Sequence, residues 1–180
     1  ILTVTISFES IKTWKEKKNQ ELSNTYSIAM SLHNQGRLDE SLDVYNSLAK
    51  NDSGIYDDLA KMQIANIYLE QDKKDDALAV LSTMADSSDT IHQMKKIATL
   101  KLISYKLDDN TPADEINNLL AKVSVDDEDS DIAKELRAML YIREGNTEKA
   151  KSEYLKITMS ENAPAGVKSR ALDMINILKQ

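Results

Sequence analysis

The sequence has few of the residues that interrupt helices. Its 180 residues include four glycines, two prolines and no cysteine. Strand-rich folds need frequent tight turns, and those turns consume Gly, Asn and Pro. The scarcity of Gly and Pro therefore predicts long helices joined by short connections. The absence of cysteine excludes disulfides and thiolate metal sites, but it does not identify the cellular compartment.

The chain also lacks an excess of positive charge. Its 23 Lys and Arg residues and 30 Asp and Glu residues give a net charge of −7. A general nucleic-acid surface needs basic residues in excess to neutralise phosphates, so nucleic acid is not an expected partner. Lysines crowd one early stretch, at Lys12, Lys15, Lys17 and Lys18, and acids crowd residues 126–131. We interpret the acidic stretch as a solvated connection that ends at a helix N-terminus.

Patterns for catalysis and metal binding are missing as well. His33 and His92 are the only histidines, and neither belongs to an HExxH motif. A calcium loop that began at Asp126 would need Gly and Glu where Asp131 and Arg137 stand. The glycines are too far apart to form a phosphate-binding loop. We therefore expect no enzyme activity, no cofactor and no metal site.

The first eight residues, from Ile1 to Phe8, carry no charge. A transmembrane helix needs about 20 apolar residues, so this segment is too short to span a bilayer alone. It can be the end of a longer membrane span or a buried first helix or strand, and the sequence favours neither. Because the first residue is not Met, we interpret the chain as a part or a processed form of a longer protein.

A repeat of about 36 residues runs through the chain. Short polar segments, each opening on a turn residue, precede small residues at Ser41, Ala77 and Ala150. The second gap is about twice the first, which places a further unit at Ala113, so the four residues lie 36, 36 and 37 residues apart. Small residues at this position allow two antiparallel helices to approach closely. The repeat predicts two helices per unit, in units at about 22–50, 57–85, 90–123 and 130–158. Within them we expect helices at 22–34, 38–50, 57–71, 74–85, 90–107, 112–123, 130–143 and 147–158.

A last helix is expected at about 164–179, where it would cap the final unit. The predicted organisation is thus the end of an N-terminal membrane anchor or leading helix at 1–20 and a repeat domain at 21–180. The fold class is all-α, a superhelical solenoid of antiparallel helix pairs. The third unit departs from the pattern, with Lys101 in place of a small residue and Asn117 in place of a large one. We expect its helices to be shifted in register.

These residues resemble the tetratricopeptide repeat family. The turn glycine Gly36, the small residue five positions later, and Tyr45 and Tyr154 in second helices match that family's pattern. The family's first helices line an inner groove, and the resemblance implies a partner-binding surface there. By register from the turn residues, this surface contains Tyr26, Met30, His33, Met62, Asn66, Leu69, Leu102, Tyr105, Lys106, Glu135, Met139 and Arg143. A helix of the same chain can also occupy such a groove.

The family's clamp for C-terminal carboxylates needs Lys at the position of Met62 and Asn at that of Asn66. Only Asn66 is present, so we expect no tail binding of this type. The mixture of Met, Tyr and a few polar groups is instead suited to varied apolar segments.

The chain also resembles the YfgM-like proteins of bacterial inner membranes. The matching features are the charge-free opening, Trp14, the segment Tyr56–Ala60, the segment Glu135–Ala138 and the segment Arg170–Leu172. The resemblance implies one N-terminal membrane span, most of it missing from this chain, and a repeat domain in the periplasm. The lysines that follow the opening favour a cytoplasmic location by the positive-inside rule, so the membrane topology stays open.

The leading functional hypothesis is a membrane-tethered scaffold or chaperone-like module. By resemblance, its protein partners would be components of the translocon or of envelope protein quality control. The alternative is a structural protein that associates with copies of itself and has no peptide-binding role. The identity of the partner and the oligomeric state are not determined by the sequence.

Overall fold

The fold is helical throughout the part of the chain that the structure describes. A computed structural model describes residues 2–50, 54–109, 111–124 and 131–179. Within these ranges there are nine helices and no strand, so the predicted all-α class of repeated helix pairs is confirmed. The helices are α1 (Leu2–Asn34), α2 (Leu38–Ala49), α3 (Ile55–Glu70), α4 (Lys74–Asp86), α5 (His92–Asp108), α6 (Ala113–Ser124), α7 (Asp131–Arg143), α8 (Thr147–Met159) and α9 (Ala165–Ile177).

The leading segment and the first repeat helix form one continuous helix. The sequence predicts an anchor end or leading helix at 1–20 and a repeat helix at 22–34, and α1 joins the two without a break from Leu2 to Asn34. The helix has no reason to end earlier, because no Gly or Pro interrupts it before Gly36. A strand in the charge-free opening is thereby excluded for the residues from Leu2 onward. No helix within the described residues is both long and apolar enough to cross a membrane.

Three helix pairs are joined by the same kind of turn. Gly36, Asp72 and Gly145 have positive φ angles of 74°, 57° and 74°. After each of them, a backbone N–H donates to a carbonyl five residues earlier, from Arg37 to Leu32, Lys73 to Tyr68 and Asn146 to Tyr141. This geometry satisfies the last carbonyls of the first helix and reverses the chain direction. The turn residues that the repeat predicts are therefore the ones that make these turns.

The chain divides into two compact units, Ile1–Met94 and Lys95–Gln180. In the first unit α2 packs on α1 and α3, and α4 packs on α3. In the second unit α7 packs on α6 and α8, and α9 covers both α7 and α8. Ser41, Ala77 and Ala150 are fully buried, as the repeat requires.

The third repeat departs from the burial pattern of the other repeats at two positions of α6. Ala113 is only partly buried, and Asn117 is exposed. The buried residues of α6 are Ile116, Leu119, Leu120 and Val123. A polar Asn at the position of Tyr45 and Tyr154 would be costly to bury, which explains why Asn117 is exposed.

Two buried carboxylates hold the connections that follow second helices. Asp58 accepts a hydrogen bond from the backbone N–H of Ile91 at 2.7 Å, and Asp131 accepts one from the Ser160 hydroxyl at 2.9 Å. Each aspartate lies 14 residues before the turn residue of its own repeat. Asp131 is the last acid of the acidic stretch and the first residue of α7, so the predicted acid at a helix N-terminus is confirmed. The predicted solvation is wrong for this residue, since it is buried beside Lys134. Residues 126–130 lie outside the described residues.

We expect Asp58→Ala to lower the free energy of unfolding by about 1–3 kcal/mol, because the Ile91 N–H loses its acceptor in a partly buried place. Asp58→Asn keeps a carbonyl oxygen and is the matched control, with a smaller loss. Urea denaturation followed by circular dichroism measures both. Equal stability of the two variants and the parent chain would show that this hydrogen bond contributes nothing.

Candidate partner-binding groove

An apolar groove of about 900 Å³ lies within the second unit. It is formed by the first helices of successive repeats, α5 and α7, together with the last helix α9. Its lining is made of Ile97, Leu100, Lys101, Ser104, Leu107, Asp108, Ile132, Glu135, Leu136, Met139, Ile142, Arg143, Tyr154, Arg170, Asp173 and Met174. The surface that faces solvent is therefore mostly hydrocarbon.

Helix α7 forms the middle of the groove through its helical periodicity. Ile132, Leu136 and Met139 follow one another at spacings of four and three, which puts them on one face of a helix. Leu136 lies in the core, whereas Ile132 and Met139 are 43% and 40% exposed. From the neighbouring helix α5, Ile97 adds a third apolar side chain that is 45% exposed. Several large apolar side chains with this degree of solvent exposure on one concave surface are typical of a binding site.

The charged groups of the groove are largely engaged by neighbouring helices. Arg170 of α9 makes two parallel hydrogen bonds to the Glu135 carboxylate of α7, at 2.7 and 2.8 Å. These hydrogen bonds, and then the nearby negative charge, raise the pKa of Arg170. Arg143 donates to the carbonyl oxygens of Leu107 at 3.2 Å and Thr111 at 2.7 Å. It thus fixes the end of α5 against the end of α7.

Tyr154 of α8 connects the groove to the core of the unit. Its side chain is almost fully buried among Ala138, Ile157 and Val167, and it also reaches the groove lining. Burial, and secondarily the negative charge of Glu135, raises the pKa of the Tyr154 phenol. The groove lining and the hydrophobic core are therefore one continuous structure.

The structure brings only some of the predicted groove residues of this unit together. Glu135, Met139 and Arg143 line the groove. Leu102 is 1% exposed and belongs to the core, while Lys106 forms an ion pair with Glu115 at 2.7 Å. Tyr105 is partly buried and is not part of the lining.

Helix α5 instead presents a different face to the groove. The lining includes Ile97, Leu100, Lys101 and Ser104, which share one side of the helix at spacings of three and four. The predicted register counts back five residues from Ala113, as in the other repeats, and so takes Asp108 as the turn residue. Lys101 was the available signal, since a lysine at the small-residue position cannot be packed between helices and must turn toward solvent.

The predicted residues of the first unit lie on α1 and α3. Met30 is exposed, Leu69 is partly exposed and Met62 is in the core. His33 places its Nε2 atom 2.9 Å from the Glu70 carboxylate, and Asn66 donates to the Gln63 side chain. The remaining predicted residue is Tyr26, which contacts the rings of Tyr45 and Tyr56 with centroids 5.4 and 6.2 Å apart.

Tyr45 has a buried hydroxyl that makes no hydrogen bond of good geometry within the described residues. Burial, and secondarily the Tyr26 phenol, raises the pKa of Tyr45 to about 12. The unfolded phenol ionises near its ordinary pKa of 10.0. Between these values the folded chain keeps a proton that the unfolded chain releases, so the Tyr45 contribution is complete below pH 10 and is lost toward about pH 12.

We expect Tyr45→Phe to raise the free energy of unfolding by about 1 kcal/mol at neutral pH, because no buried hydroxyl is then left unsatisfied. The variant should also lose less stability than the parent chain as the pH rises above 10. Urea denaturation at a series of pH values measures both effects. A destabilised variant with an unchanged alkaline profile would contradict this account.

Comparison with known proteins identifies one family model that matches most of the chain. The family model of the tetratricopeptide repeat-like domain covers residues 1–174. No curated protein and no solved structure is significantly similar to the chain.

Proposed function

The chain belongs to the tetratricopeptide repeat-like family, and we propose that its second unit binds an apolar segment of a protein partner in the groove between α5, α7 and α9. Membership of this family indicates, in general terms, a module that binds other proteins. The observation that carries the specific proposal is the exposure of Ile97, Ile132 and Met139 on one concave surface.

The chemistry of the groove favours a segment with an apolar face rather than a charged tail. The charge of Arg170 is neutralised by Glu135, and the guanidinium of Arg143 donates hydrogen bonds to two backbone carbonyl oxygens. Neither arginine is held open for a carboxylate or a phosphate. Met139 and Met174 add adaptable side chains that can fit different apolar residues. The volume of about 900 Å³ is at the upper end of ligand sites, which are about 300–1,000 Å³, and accommodates several side chains.

Site-specific photo-crosslinking tests the location of the binding site. A photoreactive residue at Met139 reports from the groove, and one at Leu155 of α8 is the matched control because the two side chains are 40% and 39% exposed. Capture should occur at Met139, with the same partner segment identified by mass spectrometry in repeated experiments. Capture of that segment at Leu155 alone would move the binding surface out of the groove.

We further propose that the protein is tethered to the bacterial inner membrane by a single N-terminal span, with the repeat domain in the periplasm. Translocon or chaperone components would be its partners, in protein translocation or envelope quality control. The resemblance to YfgM-like proteins and the charge-free opening of α1 support this part. Fractionation and protease accessibility of the protein expressed from its whole gene test it. A protein recovered without membranes would contradict the tether.

Self-association without peptide binding is the alternative function. It is favoured by apolar side chains that are exposed outside the groove lining, Met159 on α8 and Leu172 and Ile177 on α9. Sedimentation velocity at several protein concentrations distinguishes the two proposals. A mass that rises with concentration, and falls after Met159→Ser and Ile177→Ser, would support self-association; a constant monomer mass would contradict it.

A further inference from the structure

The early part of α1 concentrates positive charge on an otherwise acidic chain. Lys12, Lys15, Lys17 and Lys18 fall within seven residues, and the whole chain has a net charge of −7. All four lysines are exposed. Glu16 is the only acid between them. This segment, residues 12–18, is here called the basic collar.

The basic collar also contains an exposed tryptophan. Trp14 is 61% exposed, and the Lys18 ammonium lies 5.5 Å from the centre of its ring. An indole has a large apolar face and one N–H donor, and it prefers the interface between water and lipid headgroups to either bulk phase. Trp14 and Lys18 are four residues apart, so they share one side of the helix.

The charge-free opening precedes the basic collar on the same helix. Residues from Leu2 to Phe8 and the basic collar belong to α1 without a break. After Glu9, Trp14 stands among the lysines, with Lys12 before it and the other three after it. An apolar segment followed by a tryptophan among lysines is typical of a helix that meets the interface and the headgroups of a membrane.

We infer that the basic collar binds the headgroups of an anionic phospholipid membrane, with Trp14 placed at the interface. Lysine ammonium groups are attracted to the negatively charged surface of such a membrane, and this attraction extends over roughly one Debye length. The acidic remainder of the chain is repelled by the same surface, so binding is confined to α1. This inference rests on the membrane part of the proposed function and is independent of the groove and of membrane topology.

Trp14 makes the test specific, because it is the only tryptophan of the chain. The 180-residue chain is titrated with vesicles of phosphatidylcholine alone and of phosphatidylcholine with phosphatidylglycerol, while Trp14 fluorescence and its quenching by acrylamide are recorded. We expect a blue shift and protection from the quencher with the anionic vesicles. Both effects should weaken as the salt concentration rises.

Charge variants separate the basic collar from net charge. Replacing its four lysines with Gln should weaken binding about fivefold per lysine, the fold-change that corresponds to ~1 kcal/mol for each basic residue. The control replaces four exposed lysines outside the collar, Lys50, Lys73, Lys122 and Lys179, with the same change in net charge. We expect the control to bind like the parent chain.

Three results would overturn the inference. One is equal binding to neutral and anionic vesicles, which would leave the apolar opening as the whole cause. Another is an equal loss in the control variant. The third is a Trp14 shift of the same size with duplex DNA, which would indicate general polyanion binding. Membrane fractionation of the whole protein and crosslinking at Met139 are separate experiments, so failure here is distinguishable from failure of the tether or the groove.

Discussion

Tyr154→Ala is expected to lower the free energy of unfolding by about 3–5 kcal/mol, the usual cost of removing a buried aromatic side chain. The Tyr154 ring is 1% exposed and fills the space between α7, α8 and α9. Removing it leaves a cavity that the surrounding Ala138 and Val167 are too small to close. Losses of this size are a large share of the stability of a typical domain, about 5–15 kcal/mol.

Denaturation followed by far-ultraviolet circular dichroism measures this effect. Tryptophan fluorescence is unsuitable, because Trp14 lies in the first unit. The control is Leu155→Ala on the next residue, which is exposed and should change stability by less than about 0.5 kcal/mol. Similar losses for the two variants would mean that Tyr154 is not the centre of this core.

Met139→Asp is expected to weaken binding of the partner segment by about tenfold or more. Burying a Met side chain contributes about 1.5–3 kcal/mol relative to leaving it exposed, and 1.4 kcal/mol corresponds to a factor of ten in affinity. The substitution also places a carboxylate against the apolar face of the partner. This carboxylate loses its hydration and gains no counterion, which costs further binding free energy. The probe is a synthetic peptide with the sequence of the segment captured at Met139, titrated by fluorescence anisotropy.

The matched control for binding is Leu155→Asp, at a residue of the same exposure outside the groove lining. It introduces the same charge into the same unit and should leave the dissociation constant unchanged. Both residues point to solvent, so neither variant should unfold the chain, and circular dichroism verifies this. Equal affinity of the two variants would exclude Met139 from the binding surface.

Most of the fold is predictable from the sequence because the same pattern of turn residues and small residues recurs in successive repeats. Turn residues such as Gly36 and Gly145 adopt positive φ angles where the pattern puts them, and every helix from α2 to α9 ends within two residues of its expected bounds. Small residues at Ala77 and Ala150 are buried as expected. These features depend on local conformation and on helix-to-helix distance, and both leave a periodic signal.

The groove is less predictable because it depends on the rotation of each helix about its axis. In α7 the repeat pattern is intact, and Glu135, Met139 and Arg143 line the groove. In α5 the pattern is broken at Lys101, so the helix presents a different face and Leu102 enters the core. A rotation of one residue, 100° on a helix, is enough to exchange lining and core residues.

The buried aspartates were not predictable from residue type alone. In sequence, Asp58 follows another acid, Asp57, and Asp131 follows a run of acids. What distinguishes them is a hydrogen bond to a residue about 30 positions later, Ile91 or Ser160. Their equal distance from the turn residue of the repeat is the one signal that the sequence contains.

Methyl-resolved NMR of the chain with the captured peptide tests the groove most directly. Isotope labels on Ile, Leu and Met methyl groups report on the groove through Ile97, Ile132 and Met139, and on another surface through Leu155 and Met159. We predict that the peptide shifts the first group of signals and leaves the second group unchanged. Shifts confined to Leu155 and Met159 would contradict the assignment of this groove as the binding site.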